Sequence, residues 1–286
     1  MASLELPPDM TGKKTDIEMM DKVATGSDAV PWFPKVITLP KHEDSTSAAL
    51  PAGTGDSREE YHLIGLGLRT VSFLSIKVYV VGLYVAASDL ANLQAAFVRQ
   101  AAEVPAASTL VLSEKDKLRD MLLDPEKSEE VWNDFLQKSG VRSVMRVVPT
   151  RDTDFSHLRD GWVRALEGRA NSSNKYVDPQ DEKFGDSVGQ FKTMFSGAGK
   201  PKVKHGRAIL LERDAGGILR AWLQNDSAPD GFDKLGEMSD ERISRLIWLG
   251  YLGGKTVASQ PARVNIVEGI IEAVGRPVGT FETQVV

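Results

Sequence analysis

From Leu63 to Ala86 the chain is dense in Val, Leu, Ile, Tyr and Phe, relieved chiefly by glycines at 65, 67 and 82. Such near-continuous apolar character suits adjacent strands in a sheet covered on at least one face. Val36 to Leu39 predicts a short strand before it, and Ser143 to Pro149 another after it. Elsewhere the period changes. Leu90, Leu93, Phe97 and Ala101 recur at helical spacing, with Ser88 placed to cap. Pro125 to Lys138 predicts a helix with Val131, Phe135 and Leu136 inward, ending at Gly140. Phe155, Leu158, Trp162 and Leu166 mark a third helix over 154–169, with Asp152 or Thr153 as its cap, and Phe184, Val188, Phe191 and Phe195 a fourth. Arg207 to Arg213 and Ile218 to Gln224 alternate around Asp214-Ala215-Gly216-Gly217, which reads as a hairpin. Two helices close the chain, one capped by Ser239 and one opened by Pro261 and finished before Gly275. Hairpin strands with blocks of helix predict an α+β fold, an antiparallel sheet with helices packed on one side.

Residues 1–30 lack periodicity and carry Pro7-Pro8, so they read as a disordered N-terminal arm before a single domain over 31–286. A Ser, Ala, Gly and Pro linker is expected over 44–57. The chain has no cysteine, which excludes disulfides, thiolate nucleophiles and cysteine-ligated metals. Its net charge of -5 argues against a nucleic-acid partner. The basic group Lys200, Lys202, Lys204, His205 and Arg207 reads as a solvated loop face. The longest apolar stretch, Leu74 to Ala87, contains Lys77 and is shorter than the roughly 20 residues a spanning helix needs, so no transmembrane segment is expected. Early acids and a first arginine at 58 give no visible mitochondrial presequence, which leaves the cytoplasm as an alternative location.

Gly65-Leu66-Gly67 lacks the third glycine and the following helix of a dinucleotide fingerprint. No Walker loop, nucleophile elbow or His-Glu-x-x-His pair occurs. Three features remain: Arg69 inside an apolar strand run, Tyr79 and Tyr84 in the next, and the helix opening around His157. A charge within a strand core is costly unless it is paired. Arg69 therefore reads either as an ion-paired or edge residue, or as an anion-binding group.

The run Gly65-Leu66-Gly67-Leu68-Arg69-Thr70-Val71-Ser72-Phe73-Leu74, followed by Lys77-Val78-Tyr79-Val80-Val81-Gly82-Leu83-Tyr84, resembles the paired strands of chalcone isomerase-like proteins. The likeness continues through Val147-Val148-Pro149, the helix from Asp154 to Trp162, and Leu246 to Arg263, and is greatest to the fungal mitochondrial branch. It implies a chalcone isomerase-like open-faced β-sandwich, a long antiparallel sheet covered by a layer of helices. It also implies a mitochondrial location. Arg69 falls where the plant enzymes hold the substrate oxyanion, a role suited to a permanently charged, forked guanidinium. Tyr79 stands where those enzymes have a threonine. Phe155 and Trp162 replace a tyrosine and an asparagine, with the loss of donors that this entails. Thr256 or Ser259 is expected to keep a late polar position in the pocket.

The resemblance thus implies a small-molecule binding protein without efficient chalcone isomerase activity. Its ligand is expected to be apolar with an anionic group, a fatty acid or haem. The alternative is an intramolecular lyase or isomerase acting on an enone-like substrate, with Arg69 as anion clamp and Tyr79 as its catalytic partner. For haem b the expected axial ligand is His157, near Gly161, with Arg159 or Arg164 on a propionate.

Overall fold

The computed structural model describes residues 21–41, 58–71, 75–102, 111–173, 176–178, 180–196, 202–229 and 231–276. Its frame is a seven-stranded antiparallel meander, in which each strand pairs with its sequence neighbours. The strands are β3 (Val36–Pro40), β4 (Arg58–Val71), β5 (Ile76–Ala86), β6 (Ser143–Pro149), β7 (Ile209–Arg213), β8 (Leu219–Gln224) and β9 (Phe232–Met238). The expected hairpin is β7–β8. Its turn is held by the Asp214 carboxylate, which accepts from the amides of Gly216 and Ile218, while Gly217 takes a positive φ of 89°.

Seven helices are described: α1 (Leu90–Ala101), α2 (Leu112–Leu123), α3 (Ser128–Lys138), α4 (Phe155–Ser173), α5 (Glu182–Met194), α6 (Glu241–Leu252) and α7 (Gln260–Val274). Their apolar faces and one face of the sheet enclose the larger core. Phe97 of α1 stacks on Phe135 of α3 at 4.6 Å and meets Trp132 edge-on at 5.5 Å. Aromatic pairs in these geometries add about 0.5–1.5 kcal/mol beyond burial.

The other face of the sheet carries a smaller core, including Val80, Tyr84, Val144 and Leu210, to which Val30 and Phe33 contribute. This corrects the N-terminal boundary. Residues expected to be a disordered arm form β1 (Lys22–Ala24), paired antiparallel with β2 (Trp32–Pro34). Three residues are too few for a periodicity signal, and it is burial of Phe33 that anchors the hairpin. Residues 1–20 and the expected 44–57 linker lie outside the described residues.

Several caps differ from expectation. Ser88 lies in a 3-10 turn before α1 and donates to Glu59. Pro125 precedes a turn in which Asp124 accepts from the amides of Glu126 and Lys127, so α3 starts only at Ser128. Asp152 does not cap α4, because its carboxylate binds Lys204 and His205, and Thr153 instead pairs with Val203. Asp240, not Ser239, caps α6, accepting from the amide of Arg242. Helix α2 and strand β9 had no counterpart in the sequence reading.

The glycines at 65 and 67 have a packing reason. Helix α7 lies so close to β4 that a Cβ on Gly65 would fall 2.6 Å from the Cα of Ile266, and one on Gly67 would overlap the backbone of Ala262. On the helix side, a Cβ on Gly269 would overlap the carbonyl oxygen of Ile64. Ile64 sits at a register shift in β4, turned to the helical side, and beyond it Asn265 of α7 accepts from the amide of Leu66 at 2.8 Å. This contact holds α7 and the loop before it against the strand that carries Arg69.

Candidate functional site

Between the sheet and helices α4 and α6 lies a cavity of about 120 Å³. Arg69 and Val71 of β4, Val78 and Tyr79 of β5, Leu158, Gly161 and Trp162 of α4, and Ile247 and Tyr251 of α6 contribute to its lining. Arg69 and Tyr79 are paired across the β4–β5 ladder, so the sheet register itself brings them together. The cavity is smaller than the roughly 300–1,000 Å³ of a typical ligand pocket. It adjoins a wider groove of about 590 Å³ that shares Arg69, Gly161, Arg164 and Ala258 and adds Lys255 and Thr256. Arg69 stands at the junction of the two spaces.

A chain of hydrogen bonds joins the polar groups of the cavity. Arg69 Nη1 donates to the Tyr79 hydroxyl at 3.3 Å, the Tyr79 and Tyr251 hydroxyls lie 2.8 Å apart, and Trp162 Nε1 donates to Tyr251 at 2.9 Å. The proton balance of this chain is informative. Arg69 and Trp162 supply donors only, and one phenolic proton is used between the two tyrosines. One phenolic O–H therefore has no acceptor within the chain and is free to donate to a guest. Burial raises the pKa of both tyrosines, that of Tyr251 well above its ordinary value, so both phenols stay protonated at neutral pH. The cavity thus offers a neutral O–H donor beside a permanent cation.

Arg69 is half-buried, and its guanidinium carbon lies 5.6 Å from the Tyr79 ring centroid. No carboxylate pairs with it among the described residues, so the ion-pair alternative does not hold there.

The other expected site residues divide. Trp162 lines the cavity, but its only donor is taken by Tyr251. Phe155 is buried in the core and does not line the cavity: it shares the Trp162 face of α4 but stands two turns, roughly 10 Å, nearer the start of the helix. Ser259 is the N-cap of α7: its hydroxyl accepts from the amide of Ala262 and donates to the carbonyl of Leu68 at 2.8 Å, so it does not reach the cavity. Thr256 is exposed and lines only the outer groove, where its carbonyl accepts from Arg169.

His157 is exposed and forms part of the cavity mouth, with Arg164 also exposed on the same helix. Arg159 instead pairs with Asp160 and donates to Ser196. Among the other histidines, His62 lies near Glu60, His205 contacts Asp152, and His42 falls outside the described residues. Tyr251 was missed from the sequence. Its signal was a lone phenol in the apolar run from Leu246 to Leu252, where a buried hydroxyl requires a partner.

A meander sheet under one layer of helices, with an arginine and phenols in the cleft between them, has the architecture of the chalcone isomerase-like proteins. Residues 59–267 match the family model described as "Chalcone isomerase like", and the chain belongs to this family. Its curated relatives include Altered inheritance of mitochondria protein 18, mitochondrial. The chain is 27% identical to that of Debaryomyces hansenii over 263 residues, covering 92% of this chain and 80% of that protein. It is 29% identical to that of Eremothecium gossypii over 214 residues, covering 75% and 67%. The chain is assigned to mitochondria with these relatives, in agreement with the resemblance. Among solved structures it is similar to an Arabidopsis thaliana fatty-acid binding protein, with a TM-score of 0.54 and 19% identity, covering 82% of this chain and 99% of that one. That likeness supports the fold. Among the described residues no helix is long and apolar enough to cross a membrane.

Proposed function

We propose that the protein binds a small apolar molecule bearing one anionic group, and that it does not efficiently cyclise chalcones. The observation that carries this reading is the free donor capacity of the Arg69–Tyr79–Tyr251–Trp162 chain. A carboxylate at Arg69 accepts from the guanidinium and from the remaining phenolic O–H, and has apolar side chains beside it. The family and the fatty-acid binding protein of like fold support a binding role. The inner cavity suits a compact or short apolar part, and a long acyl chain would also need the outer groove. The poor fit to chalcone chemistry rests on Phe155, which lies away from the cavity, and on Trp162, whose N–H is already engaged.

Mass spectrometry of small molecules retained by the purified protein tests this directly. The expected result is an apolar carboxylate. Cyclisation of a hydroxychalcone is expected at the background rate. A rate far above background, and lost in Arg69→Ala, would favour the rival reading, in which Arg69 stabilises an enolate-like anion and a phenol moves a proton.

A second reading, haem b at the cavity mouth, is favoured by one observation. Apart from its chain neighbours and the backbone of its own helix, nothing lies within 4 Å of where a Cβ on Gly161 would stand, so α4 is open beside His157. His157 would be the axial ligand and Arg164 a propionate partner, and the bound iron would supply redox or gas-binding chemistry. On this reading titration gives a Soret shift in the wild type that is lost in His157→Ala. An unchanged spectrum in the variant removes His157 as ligand.

A further inference from the structure

The mouth of the cavity opens at one end of the sheet, where the chain gathers features that ligand binding does not require. Val71 closes β4 and Ile76 opens β5, directly opposite each other in the ladder, and they are 40% and 38% exposed. Val71 and Val78 line the cavity. Alternation along β5 puts Ile76 on the same face as Val78, so the cavity wall continues past its mouth as an apolar lip.

The same end of the sheet carries cations, Arg207 half-buried and the others exposed. Thr150, just after β6, donates from its amide to the carbonyl of Val78, which sets Arg151 next to Lys77. The amide of Gly206 donates to the carbonyl of Pro149, and the Thr153–Val203 bridge joins the next segment, so Lys202, Lys204 and Arg207 reach this end as well. Asp152 and Asp154 are the acids nearby, and Asp152 is held by Lys204 and His205. Lys77, Arg151, Lys202 and Arg207 have no carboxylate partner among the described residues. Arg164, across the mouth on α4, has none either. These cations stand on a protein whose net charge is -5. A solvated loop face, the reading from sequence, accounts for the charges but leaves the apolar lip unexplained.

We propose that this end of the molecule docks onto a bilayer bearing anionic phospholipids, with the Val71–Ile76 lip at the level of the headgroups and the cations around it. Charge complementarity selects the partner, because basic residues beside a short apolar projection suit an anionic membrane surface. Docked in this way, the cavity mouth faces the lipid, and an apolar ligand passes between membrane and cleft without crossing bulk water. The docking does not depend on which ligand the cleft holds.

Sedimentation of the full chain with vesicles of phosphatidylcholine, alone or mixed with phosphatidylglycerol, tests the proposal. Binding is expected only to the mixed vesicles, and it should weaken as salt rises. Each cation near an anionic surface is worth about a fivefold change in partition, so Lys77→Ser, Arg151→Ser and Lys202→Ser combined should lower it on the order of a hundredfold. Ile76→Ser should lower it by about tenfold. Affinity for a soluble carboxylate, measured on the same variants, should be unchanged, which separates failure of docking from failure of the cleft. Equal partition onto both kinds of vesicle, or onto neither, overturns the proposal. So does binding that is indifferent to Ile76→Ser and abolished by heparin, which would point to a polyanionic partner in place of a bilayer.

Discussion

Arg69→Ala is expected to weaken binding of a carboxylate ligand by about ten- to a hundredfold in isothermal titration, since charge-assisted hydrogen bonds contribute roughly 1.5–3 kcal/mol. The effect should fall on binding far more than on folding. Arg69 is half-buried and among the described residues makes one hydrogen bond, to Tyr79, which keeps Tyr251 as a partner in the variant. Arg69→Lys should recover part of the loss, because an ammonium keeps the charge but not the planar fork. Equal affinity in wild type and Arg69→Ala would reject the carboxylate pose.

Gly269→Ala is expected to cost about 3–5 kcal/mol of stability, read as a lower denaturant midpoint with an unchanged slope. The new methyl would overlap the Ile64 carbonyl oxygen, a backbone atom that cannot rotate aside. Relief requires α7 to move off β4, which also disturbs the Asn265 bond to Leu66 and the approach over Gly65 and Gly67. Gly185→Ala is the control. That glycine is exposed within α5 with open space around it, so alanine should add about 0.5–1 kcal/mol through helix propensity alone. Indistinguishable midpoints for Gly269→Ala and wild type would show that the close crossing does not constrain the fold.

The elements most legible in the sequence are those whose signal is local. The β7–β8 hairpin rests on a turn whose Asp214 and Gly217 act within a few residues, and α4 on a stripe repeated over about three turns. Strands β1 and β2 carry no such signal at three residues each, and become visible only when Phe33 is seen buried on the sheet. The caps failed for a related reason. Asp152 is a sound capping residue, yet the fold brings it Lys204 and His205, from about fifty positions later, and its carboxylate turns to them.

The candidate site divides along the same line. Arg69 and Tyr79 are legible because a cation and a phenol in apolar strands violate the local pattern, and neighbouring strands of a hairpin are bound to meet. By itself the sequence determined the α+β class, the paired strands with Arg69 and Tyr79, and the helical stripe bearing Trp162. Only the tertiary structure decided that Tyr251 completes their hydrogen-bond chain across 172 positions, that Ser259 caps a helix, and that Phe155, on the same stripe as Trp162, lies clear of the cavity. It also decided that Gly65 and Gly67 serve the crossing of α7. The physical reason is common to all of these. Propensity and periodicity act within a few residues along the chain, whereas the partner of a buried hydroxyl and the space beside a glycine are set by whichever segment packs there.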